Sequence, residues 1–377
     1  MEVRIGDSIE CNPTVKLVKG NEYPLIDIDK ITVGRKLVTN KDTIVYEKQS
    51  GCKFQNGDTL MARITPCLEN GKMAMASIPD KGIGSTELFV FRGKKGITDN
   101  DFVYYFLKQS YIRNLAANSM TGASGRQRAD LKFIKKIKFD LPTLPIQQKI
   151  ASTLSAYDRL IENNTRRIRL LEQMAENLYK EWFVRFRFPE HEKVEMVNGL
   201  PKGWKINSLK EICEFKRGRN ITSAEMCDGV IQVISAGITP SGYHNKANVH
   251  GVSVTMSSSG ANAGYISIHY DDIWAADCSY ISEKETKDIY YVYELLNNIR
   301  QVINNFQIGA AQPHVYPKDI NRIKTCVPPK ELRIKANTNL SKIHKEIHKL
   351  YKQNQLLTRQ RDLLLPRLMS GKLEVKS

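Results

Sequence analysis

The feature that most constrains this chain is an internal repeat. A segment at residues 141–183 recurs in weaker form at 327–369, and Pro142 falls on Pro328 at a shift of 186 residues. In the first copy, Leu154, Tyr157, Ile161, Ile168, Leu171, Ala175, Leu178 and Trp182 recur in steps of three and four, with Asn164 among them. The second copy reads Leu340, Ile343, Ile347, Leu350, Asn354, Leu357, Arg361, Leu364 and Leu368. This spacing is a heptad seam, which wants a partner helix. Each seam follows a longer stretch of globular composition. The chain is therefore expected to consist of two equivalent halves that handle two equivalent things.

Strand-like runs at 43–46, 59–64 and 87–92, punctuated by turn signals such as Asn56-Gly57-Asp58 and Asn70-Gly71, make residues 1–145 a mixed α/β unit. Pro142 and Pro145 precede a helix predicted over 146–183, on the order of 57 Å long. Pro189 stops that segment, and a second globular unit follows over 190–329. The distal helix and tail occupy 330–377, with basic residues on the outer face read as solvated. The ends of the two units match while their middles diverge, as suits one scaffold facing two different targets. The expected class is α+β: two mixed α/β units joined by two long helices that form an intramolecular antiparallel coiled coil.

Setting Asn164 opposite Asn354 places Leu154 against Leu364, Ile161 against Leu357, Ile168 against Leu350 and Leu171 against Ile347. Two facing amides would then hydrogen-bond and fix the register at some cost in stability. A register shifted by one heptad also fits but leaves the amides unpaired. A third arrangement packs each helix on its own globular unit.

Lys and Arg total 57 against 40 Asp and Glu, a formal net charge of +17. An excess of this size favours a polyanion partner, most often nucleic acid. The alternatives are a protein that is merely basic, or one neutralised by acidic subunits. Cys11, Cys52, Cys67, Cys213, Cys227, Cys278 and Cys326 form no CxxC pair and read as reduced thiols. The opening Met1-Glu2-Val3-Arg4 has no apolar signal region and no apolar run reaches membrane-spanning length, so a cytoplasmic protein without a membrane partner is expected.

Catalytic constellations are missing. Gly71-Lys72, Gly93-Lys94 and Gly371-Lys372 lack the rest of a phosphate-binding loop, and Asn12-Pro13-Thr14 is not an adenine-methylation motif. His344 and His348 have metal-pair spacing, but Lys345 stands where a zinc protease needs Glu, and both are read as solvated. No catalytic residue, metal site or cofactor is assigned, which favours a binding protein.

Candidate DNA contacts lie in loops. Arg126 and Arg128 suit bidentate contact to guanine and Gln127 to adenine, while glycines at 122 and 125 let the backbone approach a groove. A surface loop with solvated charges is an equal alternative. Gln312 and His314 occupy the comparable place in the second unit. Arg63, Thr65, Ser85 and Thr86 lie at strand ends in the first, with Arg217, Arg219, Ser258 and Asn262 as looser counterparts. Lys132, Lys135, Lys136 and Lys138 are candidates for phosphate contact, which adds affinity without sequence information.

Three stretches then carry a family resemblance: 141–150 (LPTLPIQQKI), 171–173 (LEQ) and 178–189 (LYKEWFVRFRFP). With residues 57–63 (GDTLMAR), 84–87 (GSTE) and the Gly-Arg-Gln-Arg loop, the chain resembles the specificity subunit of type I restriction–modification systems along essentially its whole length. The distal copy departs from the motif, with Glu331-Leu332-Arg333-Ile334-Lys335 replacing the usual Gln-Lys-Ile form. The resemblance implies two target recognition domains, each reading half of a bipartite site in double-stranded DNA, with the coiled coil setting their spacing. It also implies two modification subunits that methylate adenine at N6 with S-adenosylmethionine, and restriction subunits driven by ATP with Mg. This chain would be non-catalytic and hold none of these cofactors. A lone DNA-binding regulator and a coiled-coil scaffold without a DNA role are the alternatives.

Overall fold

A computed structural model describes residues 2–122, 126–307 and 313–373. The chain divides into two compact units, Met1–Thr165 with Lys352–Ser377, and Arg166–Tyr351. The division runs through both long helices instead of setting them apart as separate segments.

In the first unit the opening strand Glu2–Arg4 pairs antiparallel with Lys138–Asp140, so the head begins and ends on one ribbon. Between them lies a five-stranded sheet in the order Ile9–Cys11, Leu88–Gly93, Thr59–Ala62, Met73–Ala76, Leu37–Val38. A second, four-stranded sheet runs Thr43–Val45, Glu22–Ile26, Lys81–Gly84, Cys52–Gln55. One face of the larger sheet carries Met61, Met75, Phe89 and Phe91, which pack on the amphipathic helix Asn100–Lys108. The other face carries Leu60, Ala62, Leu88 and Val90, which pack on Ile26, Val38 and Phe54. The alternation follows from the period-two geometry of a strand.

The second unit repeats this frame. Lys205–Ser208 pairs with Lys324–Val327, and the main sheet runs Lys216–Arg217, Cys278–Ser282, Ser253–Ser257, Ile266–His269. Register identifies equivalent positions: Leu88 faces Ala62 as Cys278 faces Ser257, and Met61 faces Met73 as Met256 faces Ile266. Leu60 and Ala62 thus become Thr255 and Ser257, and Ala74 and Ala76 become Ser267 and His269. This face of the sheet, apolar in the first head, carries more polar side chains in the second.

The central helix spans Leu144–Tyr179 and widens into a π-helical turn at Lys180–Val184, and the distal helix spans Lys330–Met369. They run antiparallel. In the first unit Asn164 Nδ2 donates to Gln353 Oε1 at 3.5 Å, and Arg361 pairs with Asp158. In the second, Arg167 pairs with Glu346 at 3.0 Å and the Tyr351 hydroxyl donates to Glu172 at 3.4 Å. Seam residues also serve the heads: Leu154 joins the core of the first unit, and Ile168, Leu340 and Ile347 join that of the second. Ile161, Leu357 and Leu171 are only partly covered.

Two expectations are corrected. The two seam amides do not bond to each other: Asn354 Nδ2 donates to Ile161 O at 3.4 Å and Thr165 Oγ1 at 3.3 Å, because neighbouring groups on the facing helix lie closer. His344 is buried, not solvated; its Nε2 meets Glu294 at 3.2 Å and its Nδ1 the Tyr270 hydroxyl at 2.9 Å, since this turn of the helix faces its own head.

Candidate nucleic-acid interface

The motif residues of the first head divide into frame and surface. Asp58, fully buried, receives both Nε and Nη2 of Arg92 at 2.7 Å and the backbone N–H of Gln55 at 2.8 Å. It is structural. Gln147, also buried, accepts from the Asp99 N–H at 3.0 Å and donates to Ile97 O and Pro142 O at 2.9 Å. Asp99 in turn caps the helix Asn100–Lys108. Gln147 therefore latches the start of the central helix to its head. At the matching position of the second copy, Arg333 forms an ion pair with Asp288 at 3.3 Å, with both side chains nearly buried. The departure from the motif replaces an amide latch with a charged one.

Three separate stretches converge on one surface of the first head. The Arg63 carbonyl accepts from Ala129 N at 2.8 Å, Thr65 N donates to Gln127 O at 3.0 Å, and Ile64 bridges Arg128. Thr65 Oγ1 accepts from Gln127 N at 3.2 Å, and Ser85 Oγ accepts from Glu87 N at 3.1 Å, so both hydroxyls shape loops. The Arg63 guanidinium lies 4.9 Å from the Phe89 ring centroid. Arg128 donates through Nε and Nη2 to both oxygens of Glu87, which holds that carboxyl below the ordinary range and fixes the fork in place. Thr86, Arg126 and Arg128 are exposed beside one another along these loops, and Gln127 is half-buried. Glu87, which orients Arg128, was legible as a carboxylate inside the 84–87 motif but carried no sign of its partner. On the helix Leu131–Lys136, Lys132, Lys135 and Lys136 are exposed, while Lys138 pairs with Glu2 at 2.8 Å.

The second head builds a matching surface with different residues. By strand register the counterpart of Arg63 is Ser258, that of Glu87 is Asp277, and His314 bridges Ser259 as Arg128 bridges Ile64. Ser259 Oγ donates to Asp277 at 2.7 Å, and Arg217 reaches Asp277 at 4.0 Å. His314 stacks at 13° on Tyr316. Arg217 and Arg219 are exposed on either side of Gly218, where a Cβ would sit 2.3 Å from Ala276 O. Glycine alone permits that backbone crossing. Ser258 is buried, its Oγ 3.5 Å from Ser279 Oγ, so this side chain belongs to the sheet instead of the surface. Asn262 closes a turn through its carbonyl, 2.9 Å from Tyr265 N. Gln312, like residues 123–125, lies outside the described residues.

Paired copies of one frame, each presenting polar loops from three chain segments and each ending in a long helix, define a two-headed DNA-recognition protein. A family model described as the type I restriction modification DNA specificity domain matches residues 2–173 and 201–362, and the chain belongs to that family. Its members recognise DNA sequence and are non-catalytic. The type I restriction enzyme MjaVIII specificity subunit of Methanocaldococcus jannaschii is 24% identical over all of this chain and 93% of its own length. The MjaIX specificity subunit of the same organism is 25% identical over 75% of this chain and 71% of its own. The crystal structure of the type I S subunit from M. genitalium covers 98% of this chain and 96% of its own at a TM-score of 0.60 and 18% identity, a likeness of fold. Among the described residues no helix is long and apolar enough to cross a membrane, and no cluster of three or more metal-ligating side chains occurs. All seven cysteines are free.

Proposed function

We infer that each head reads one half of a bipartite site in double-stranded DNA, and that the antiparallel helix pair sets the spacing between the half-sites. The observation that carries this reading is the repeated frame itself. Each head displays a loop surface assembled the same way from different side chains, Arg128 on Glu87 in one and His314 on Tyr316 in the other. One scaffold with two chemistries suits two unlike half-sites. Arg126 and Arg128 would read bases, and Lys132, Lys135 and Lys136 would contact phosphates.

The same repeat argues for two modification subunits, one per half of the helix pair. Leu160, Leu170 and Met174 on the central helix and Leu356 and Leu363 on the distal helix are more than half exposed, which leaves apolar surface for partner helices. On this reading adenine-N6 methylation with S-adenosylmethionine, and cleavage driven by ATP and Mg by restriction subunits, take place on the partners. The target adenine would be flipped into a partner's pocket while this subunit holds the duplex. The protein would act in the cytoplasm.

The test is a genome-wide map of N6-methyladenine with and without this gene. Loss of methylation at one split motif supports the reading and supplies both half-sites. An unchanged map in a host that expresses the methyltransferase overturns it.

A further inference from the structure

The backbone of Glu87 is anchored on both sides. Its carbonyl accepts from Arg63 N at 3.0 Å, and its N–H donates to Ser85 Oγ at 3.1 Å. It stands one residue before the strand Leu88–Gly93, so its carboxylate is fixed to the sheet frame. Arg128 comes from a loop of the same unit. Its Nε donates to Glu87 Oε2 at 2.9 Å and its Nη2 to Oε1 at 2.6 Å. A guanidinium carries five N–H donors in a planar fork, and this side-on pairing uses two of them. The end-on edge, one N–H on Nη1 and one on Nη2, is left over. Among the described residues nothing bonds to Nη1, and the Arg128 side chain is 44% exposed.

The other arginines of this surface are held differently. Arg63 lies over the Phe89 ring with its Nε buried, and the Arg126 side chain is exposed with no hydrogen bond among the described residues. In the second head the carboxylate persists and the fork does not. Asp277 stands at the position of Glu87 and His314 at that of Arg128, and Asp277 accepts from Ser259 Oγ instead.

We propose, resting on the reading of the heads as DNA readers, that Glu87 is the positioning residue through which the first head selects guanine. It occupies the side-on edge of Arg128 and leaves the end-on edge for O6 and N7 of one guanine in that head's half-site. In the major groove only guanine offers two adjacent acceptors; adenine and cytosine place an amino donor there, and thymine a methyl group. Glu87 itself touches no base. A fork already held in place loses less freedom on binding. A carboxylate at the surface also repels phosphates, so Glu87 favours the correct base over general adhesion.

The experiment is selection from a duplex library with a randomised central block, followed by sequencing of the bound fraction. The selecting protein is the full chain, purified from its host by a tag with the subunits it carries. The parent is expected to enrich a split motif with a guanine that Arg128→Ala relaxes by about tenfold or more. Glu87→Gln keeps the shape but offers one acceptor to two donors. It should relax the same position to a similar degree, while the remaining positions stay selected and total retention of DNA does not fall. The variant carrying both substitutions should be no more relaxed at that position than Arg128→Ala alone. A parent that selects no motif overturns both this inference and the reading it rests on. A parent that selects a split motif overturns this inference alone in any of four cases: Arg128→Ala relaxes no guanine, Glu87→Gln leaves that guanine selected, Glu87→Gln weakens every position alike, or the two substitutions add.

Discussion

Arg361 tests how the helix pair is held to the first head. Its side chain is 3% exposed and its partner Asp158 7%. Asp158 also accepts a hydrogen bond from the Tyr105 hydroxyl, so one carboxylate joins the distal helix, the central helix and the head. Arg361→Met leaves Asp158 charged, buried and short of one partner. Breaking a buried pair in this way costs about 3–5 kcal/mol, and the remaining Tyr105 bond places this case at the lower end. With a urea dependence of about 1–3 kcal/mol per molar, the midpoint of the first unit falls by about 1–3 M. The assay separates the units cleanly. Trp182, Trp204 and Trp274 all belong to the second unit, so tryptophan fluorescence follows that unit and far-UV circular dichroism follows both. Arg361→Met should move the dichroism transition and leave the fluorescence transition in place. The triple variant Tyr105→Phe, Asp158→Leu, Arg361→Met removes every member of the cluster and should recover to within about 1 kcal/mol of the parent, because it also removes the desolvation penalty. A shift below about 0.3 M for Arg361→Met, or a triple variant as weak as the single, would refute the assignment of this pair as a latch.

Three further outcomes are expected. Gln147→Ala should destabilise the first unit by about 1–3 kcal/mol by leaving the Asp99 N–H unpaired, and Arg333→Ala should cost the second unit more by stranding Asp288, as read by dichroism and by tryptophan fluorescence respectively. Burial holds the His269 imidazole down to about 4. Its folded value lies below its unfolded one near 6.5, so the unfolded state binds the extra proton. The second unit therefore loses stability as pH falls from about 6.5 to 4, by roughly 2–3 kcal/mol in all, and His269→Gln flattens that slope in fluorescence-detected unfolding. For DNA binding, Arg126→Ala should weaken the cognate duplex by about 1–3 kcal/mol and relax one base position, whereas Lys136→Ala should weaken all sequences alike and lower the salt slope by about 1, both measured by fluorescence anisotropy.

Much of the architecture is legible in the sequence because its signals are local. The heptad steps need only neighbouring turns of one helix, and the repeat needs only matched spacing. The candidate residues of the first head stand out because Arg63 and Ser85 lie at strand ends and Arg128 in a glycine-flanked loop. Their division of labour does not: Arg63 rests on Phe89, the Ser85 hydroxyl shapes its own loop, and Arg128 is gripped by Glu87, 41 residues away in the chain. In the second head, Ser258 reads as a surface serine in a polar run, yet it is buried against Ser279 of the neighbouring strand.

By itself the sequence determined a duplicated frame, two long helices and a strongly basic character, because periodicity and charge are additive properties of short segments. Tertiary structure alone decided which polar groups are latches. The partners of Asp158, Gln147, Asn354 and His344 lie on other elements, and which one each side chain meets depends on helix rotation and strand register. A hydrogen bond is made or lost within a fraction of an ångström, and no local pattern encodes distance at that scale.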